Sequence, residues 1–127
     1  MPLSVRLRRL PGIYAIAHLA PGSPIPEWAD GEGFVSISRT DEELSVACRQ
    51  EQVPAAVQQD REWRCLKLVG PFAFDESGVV LSVIRPISEA GLGVFVVSTF
   101  DGDHVLVKAV DLPQVEMLLE AAGHSML

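Results

Sequence analysis

The stretch Ile87–Val110, ISEAGLGVFVVSTFDGDHVLVKAV, decides the fold. It opens on the end of an apolar helix. Gly91 stops that helix, because a left-handed C-cap suits a residue without Cβ. A dense apolar run from Leu92 to Val97 follows and ends at Ser98-Thr99. Asp101-Gly102 then predicts a tight primed turn with positive φ, and Val105–Val110 is a second apolar run. The order is helix, glycine stop, strand, polar turn, strand.

The polar turn has an echo. Ser98 to Asp103 follows the pattern Ser-x-x-Asp-x-acid, and Ser38 to Glu43 follows it sixty residues earlier. Each copy lies between two alternating apolar runs, Phe34–Ile37 with Leu44–Cys48 and Val94–Val97 with Val105–Ala109. A pattern repeated between strands at half the chain length predicts an internal duplication.

Outward from this stretch, the chain reads as strands broken by turns. Ser4–Leu10 alternates Val5 and Leu7 with Arg6 and Arg8, which predicts a strand with one wet face. Gly12–Leu19 is a second strand, and Glu27-Trp28-Ala29 is a short helical turn. Phe34–Ser38, Leu44–Arg49 and Arg61–Gly70 are further strands. Asp75-Glu76-Ser77 has the short polar residues of a helix start, and apolar residues at helical spacing carry that helix to Ala90. Pro86 inside it removes the bond to the Ser82 carbonyl and predicts a kink or a loosened last turn. Asp111-Leu112-Pro113 starts the last helix and Gly123 ends it. His124–Leu127 reads as a frayed tail.

The second half is therefore β-α-β-β-α, and the first half repeats that order with its helices reduced to turns. The expected class is α+β and ferredoxin-like. Two tandem units are expected, over residues 1–61 and 62–127, with strand 4–10 crossing to complete the C-terminal sheet.

Composition bounds the function. The chain has 127 residues, 48% of them apolar and 21% charged, as in an ordinary globular protein. Its net charge of −7 and pI near 4.8 argue against sequence-independent nucleic-acid binding, which needs Lys and Arg to displace counterions. The one basic cluster, Arg6-Leu7-Arg8-Arg9, reads as the decoration of an edge strand, with an anion site as the lesser reading. No apolar run reaches the roughly 20 residues of a spanning helix, and no secretory h-region is present. Cys48 and Cys65 have no metal-ligand spacing and sit in apolar runs as small buried hydrophobes. A reduced, cytoplasmic protein without cofactor or metal is expected.

At this point a resemblance enters. The run from Ala90 to Asp101 resembles the signature of ACT domains, small ferredoxin-like modules that bind amino acids in regulated enzymes such as aspartate kinase. The chain is similar to small stand-alone bacterial proteins with two ACT-like repeats, related to the paired ACT domains of CASTOR-type arginine sensors. Ser36–Val46, Trp63–Pro71, Ser77–Val79 with Pro86, and Ser98–Asp101 with Leu106-Val107 carry the likeness. It implies a sensor whose ligand lies where two ACT units meet. Carried over, the ligand-binding residues are Glu76, Ser77, Gly78 and Val79 in the loop entering the helix, and Thr99, Phe100, Asp101 and Asp103 at the strand tip. Ser38 and Arg39 would face them from the other repeat.

The chemistry is consistent with a small zwitterion such as an amino acid. Free N–H groups at a helix start suit a carboxylate, and Glu76, Asp101 and Asp103 suit an ammonium or guanidinium. Residue by residue, plainer readings stand beside these. Glu76-Ser77-Gly78 also reads as a helix cap, Asp101-Gly102-Asp103 as a solvated hairpin, and Trp28, Trp63 and Phe95 as core. His18 and His104 read as strand histidines. No Gly-x-Ser-x-Gly, phosphate-cradling loop or His-Glu-x-x-His motif is present, so an enzyme is not expected. The rival to a sensor is a ligand-free ACT-type module that pairs with itself as a homodimer, or with a partner.

Overall fold

A computed structural model describes residues 3–70, 72 and 77–127. The chain divides into two compact units, residues 11–63 and residues 1–10 with 64–127.

The unit of residues 11–63 is strand-rich. β2 (Tyr14–Leu19) pairs antiparallel with β4 (Leu44–Arg49), which pairs with β3 (Ser36–Arg39). The other edge of β2 takes the first residues of β5 (Gln58–Leu68), from Tyr14↔Trp63 to His18↔Gln58. Short 3-10 turns stand at Glu27–Ala29 and Gln50–Gln52. Ala15, Ala17, Val46 and Cys48 alternate into a small core, and Trp28 packs on it.

In the second unit β1 (Arg6–Arg9) lies antiparallel to the end of β5 through Leu7↔Leu68, Arg8↔Lys67 and Arg9↔Leu66. β6 (Phe95–Ser98) pairs with β7 (Asp103–Lys108), and β7 pairs with β5. α1 (Val79–Glu89) and α2 (Leu112–Ala121) cover one face. Val79, Val83 and Ile87 recur at helical spacing and pack with Leu7, Leu66, Leu68, Val105 and Val107, as do Leu112, Val115 and Leu119. The element order β5-α1-β6-β7-α2-β8 is the ferredoxin-like βαββαβ.

Both helices end in the same device. The Leu92 N–H donates to Ile87 O at 3.2 Å and the Gly91 N–H to Ser88 O at 2.9 Å. His124 to Leu119 O and Gly123 to Glu120 O repeat this at 3.0 Å each. These are Schellman caps, and Gly91 and Gly123 take φ of 79° and 97° to make them.

Three expectations are corrected. His124–Leu127 is no frayed tail: Ser125–Met126 forms β8, parallel to β1. Backbone N–H groups of Ser125 and Leu127 donate to Val5 O and Leu7 O at 3.0 and 2.7 Å. It follows that β1 is no edge, since β5 and β8 flank it, and edge protection does not explain its arginines. The β6–β7 connection is not a tight primed turn either. Ser98↔Asp103 is the last pair, and neither Asp101 nor Gly102 has positive φ. The Thr99 N–H and Oγ1 both donate to Gly102 O, at 2.7 and 3.0 Å, and close a wider four-residue loop.

That loop fixes the register of the internal repeat. The Thr40 N–H donates to Glu43 O at 2.9 Å, just after the Arg39↔Leu44 pair, as Thr99 does to Gly102 after Ser98↔Asp103. β3, β4 and the 3-10 turn at Gln50 each begin 59 residues before β6, β7 and the turn at Ala109 (36 to 95, 44 to 103, 50 to 109). The structural repeat is thus one residue shorter than the sequence echo, and Arg39, not Ser38, corresponds to Ser98.

Candidate functional site

The start of α1 is set by Gly78. Its φ of 83° is left-handed, and the helix begins directly after it with no side-chain cap. Ser77 is exposed and lies outside the helix. Gly78 rather than Ser77 takes the cap position, and the Asp75 and Glu76 of the expected helix start lie outside the described residues. Ser82 N–H is the first to bond within the helix, to Gly78 O at 2.9 Å. The N–H groups of Val79, Val80 and Leu81 precede any intrahelical acceptor and point outward from the helix start. A Cβ on Gly78 would meet Leu3 at 3.6 Å, an ordinary contact, so the backbone angle rather than space calls for glycine here.

Opposite this helix start stands the β6–β7 loop. A cavity of about 280 Å³ lies between them, lined by Phe72, Gly78, Val79, Val80, Leu81, Ser98, Thr99, Phe100, Gly102 and Asp103. The loop is braced at its base, where the Ser98 hydroxyl donates to the Asp103 carboxylate at 2.5 Å. Phe100 at the tip is 77% exposed. The cavity therefore offers helix-end N–H donors on one wall, a carboxylate with a hydroxyl on the other, and an aromatic ring at the rim.

Of the residues singled out in the sequence, Gly78, Val79, Thr99, Phe100 and Asp103 line this cavity. Asp101 lines a neighbouring one with Arg8, Lys67 and His104. Ser38 and Arg39 lie exposed on β3 of the other unit, where Ser38 pairs with Ser45 and the Arg39 guanidinium donates to Pro21 O. Sequence reasoning missed Phe72, Val80, Leu81, Ser98 and Gly102 as lining residues. Ser98 carried a signal, as the head of the repeated pattern; Phe72 carried none.

The buried titratable groups are differentiated. His104 is half-buried, and burial first and the Lys67 ammonium second push its pKa below the ordinary value, against the pull of Asp103. Cys48 and Cys65 are fully buried free thiols, and desolvation pushes them up to about 11 and about 12. Since the thiolate is the nucleophile, both should resist a thiol reagent such as DTNB in native protein at pH 8 and react fully in denaturant. Fast native reaction of either would contradict their burial. Among the described residues no group of three or more His, Cys, Asp or Glu could hold a metal ion. Nor is any helix there long and apolar enough to cross a membrane.

A family model described as an ACT domain matches residues 58–121, and a second model, of an N-terminal domain, matches residues 12–56. The human cytosolic arginine sensor for mTORC1 subunit 1 is 39% identical over 46 residues, 35% of this chain and 14% of that protein. The chain thus spans only a small part of the curated relatives it matches. A crystal structure of an Agrobacterium tumefaciens protein is 55% identical, covering 98% of this chain and 93% of the other, with a TM-score of 0.95. Clostridium acetobutylicum aspartate kinase shares the fold at 11% identity, with a TM-score of 0.66 over 91% of this chain and 34% of that enzyme. With βαββαβ order in residues 58–126 and a family match across half its length, this chain belongs to the ACT domain family.

Proposed function

We propose that this protein is an amino-acid-binding regulatory protein, with its ligand in the cavity between the start of α1 and the β6–β7 loop. The observation that carries the reading is the convergence, in one ACT unit, of the α1 helix start with Ser98 and Asp103. Helix-start N–H groups favour a carboxylate, since they have no intrahelical acceptor and the helix dipole points its positive end there. Asp103 supplies the opposite charge for an ammonium. The cavity volume suits a ligand of amino-acid size. Desolvated thiols and the missing catalytic motifs fit binding rather than catalysis.

A thermal-shift screen against the twenty amino acids tests this. A ligand that binds only the native state raises the melting temperature, by about 2.7 kcal/mol of stabilisation at a concentration of 100 Kd. One amino acid should stabilise at millimolar concentration, and Asp103→Asn should abolish most of that shift while leaving the ligand-free melting temperature within a few degrees. The second reading, a ligand-free module that pairs with itself or a partner, draws on the 77% exposure of Phe100 at the loop tip. No shift with any amino acid would leave that reading in place.

A further inference from the structure

We propose that the cavity lined by Arg8, Lys67 and His104 is a second binding site, for a small oxyanion of the carboxylate or phosphate class. Its volume is about 280 Å³, and it abuts the first cavity at Thr99 and Gly102, which line both. Its two cationic groups and its titratable imidazole come from three strands: Arg8 from β1, Lys67 from β5 and His104 from β7.

Arg8 and Lys67 are directly opposed in the antiparallel register. Like charges so placed repel and destabilise a sheet. Edge protection cannot account for them, since β1 has a strand on each side. Arg9 of the same strand is paired with Glu116, whereas among the described residues neither Arg8 nor Lys67 enters an ion pair. In a chain of net charge −7, a pocket that sets Arg8 and Lys67 against the single carboxylate of Asp101 is a local reversal of sign. An anion seated there converts the repulsion into two charge-assisted hydrogen bonds.

His104 makes the site report on itself. Lys67 on β5 depresses its pKa and Asp103 on its own strand opposes this. Arg8 and the exposed Asp101 complete the charged lining. A bound anion favours the imidazolium, so it should raise the His104 titration midpoint, and by linkage the anion should bind more tightly as pH falls.

The experiment is an NMR pH titration of the His104 ring in the full chain, at fixed ionic strength, with sodium chloride replaced by sodium phosphate in one arm and sodium acetate in another. The expected result is a saturable rise of the His104 midpoint in at least one arm, with amide shifts at Arg8 and Lys67. Arg8→Gln and Lys67→Gln should each weaken binding by about tenfold, as expected for loss of one charged hydrogen bond. Lys67→Gln should also raise the anion-free midpoint, a check that the variant is folded and His104 in place. The phosphate and acetate arms identify which oxyanion is preferred. No saturable change with either at millimolar concentration, or undiminished binding in both variants, overturns the proposal. An amino-acid response read at Val80 and Leu81 amides is separate, so failure of one site is distinguishable from failure of the other.

Discussion

His124→Ala should cost about 3–5 kcal/mol and lower the melting temperature by ten degrees or more. His124 is 4% exposed, and its ring joins three segments. The Val5 N–H donates to Nδ1 at 3.0 Å, which makes Nδ1 an acceptor and places the ring proton on Nε2. Nε2–H therefore donates to Ser82 O, 2.9 Å away. That carbonyl is the one that Pro86 leaves without its helical donor, since proline has no N–H. The histidine stands in for the missing bond. Truncation removes both hydrogen bonds, leaving the buried Val5 N–H and the part-buried Ser82 carbonyl without them, at about 1–3 kcal/mol each, with a cavity added.

Pro86→Ala separates this account from simple loss of packing. An alanine at 86 restores an N–H aimed at Ser82 O. In the native background it competes with His124 and should change stability little. In the His124→Ala background it should recover roughly 1 kcal/mol, the worth of one hydrogen bond. Urea unfolding of the four proteins completes the cycle. Additive effects would mean that His124 and Pro86 are not coupled through Ser82.

The same histidine shows where sequence reading stops. Strands with period two were legible: Leu44–Arg49 is β4 to the residue. So were the glycine stops at Gly91 and Gly123, because a left-handed cap has few alternatives. The tail was not legible, since four residues carry no periodicity and their order comes from contacts with residues 119 positions away. The repeat was legible in kind but not in register. Ser-x-x-Asp-x-acid aligned the loops by side-chain type, whereas the loops are defined by backbone bonds from Thr40 and Thr99, one position off that alignment. The lining of the candidate cavity was half legible. Helix-start and loop residues followed from the family pattern, but Phe72 reaches the cavity from a connector whose path no local pattern dictates. The cationic pocket needed the pairing of Arg8 with Lys67, a long-range register.

Gly33→Ala should be the second large loss, about 2–5 kcal/mol, although it adds one methyl in a loop. Gly33 has φ of 80°, and a Cβ there would lie 2.5 Å from Tyr14 Oη and 2.9 Å from Arg49 Nε. A left-handed non-glycine residue costs roughly 1–2 kcal/mol. The clash adds about 1–3 kcal/mol as overpacking, because the nearer atom cannot retreat. Tyr14 is fully buried and its hydroxyl accepts the Phe34 N–H at 3.0 Å. Two comparisons divide the cost. Gly91 has φ of 79° and open space where a methyl would go, so Gly91→Ala reads the backbone strain alone. Tyr14→Phe removes the blocking oxygen, so Gly33→Ala should cost less in that background than in the native one. Equal costs in both backgrounds would show that strain alone, and not the hydroxyl, holds position 33 to glycine.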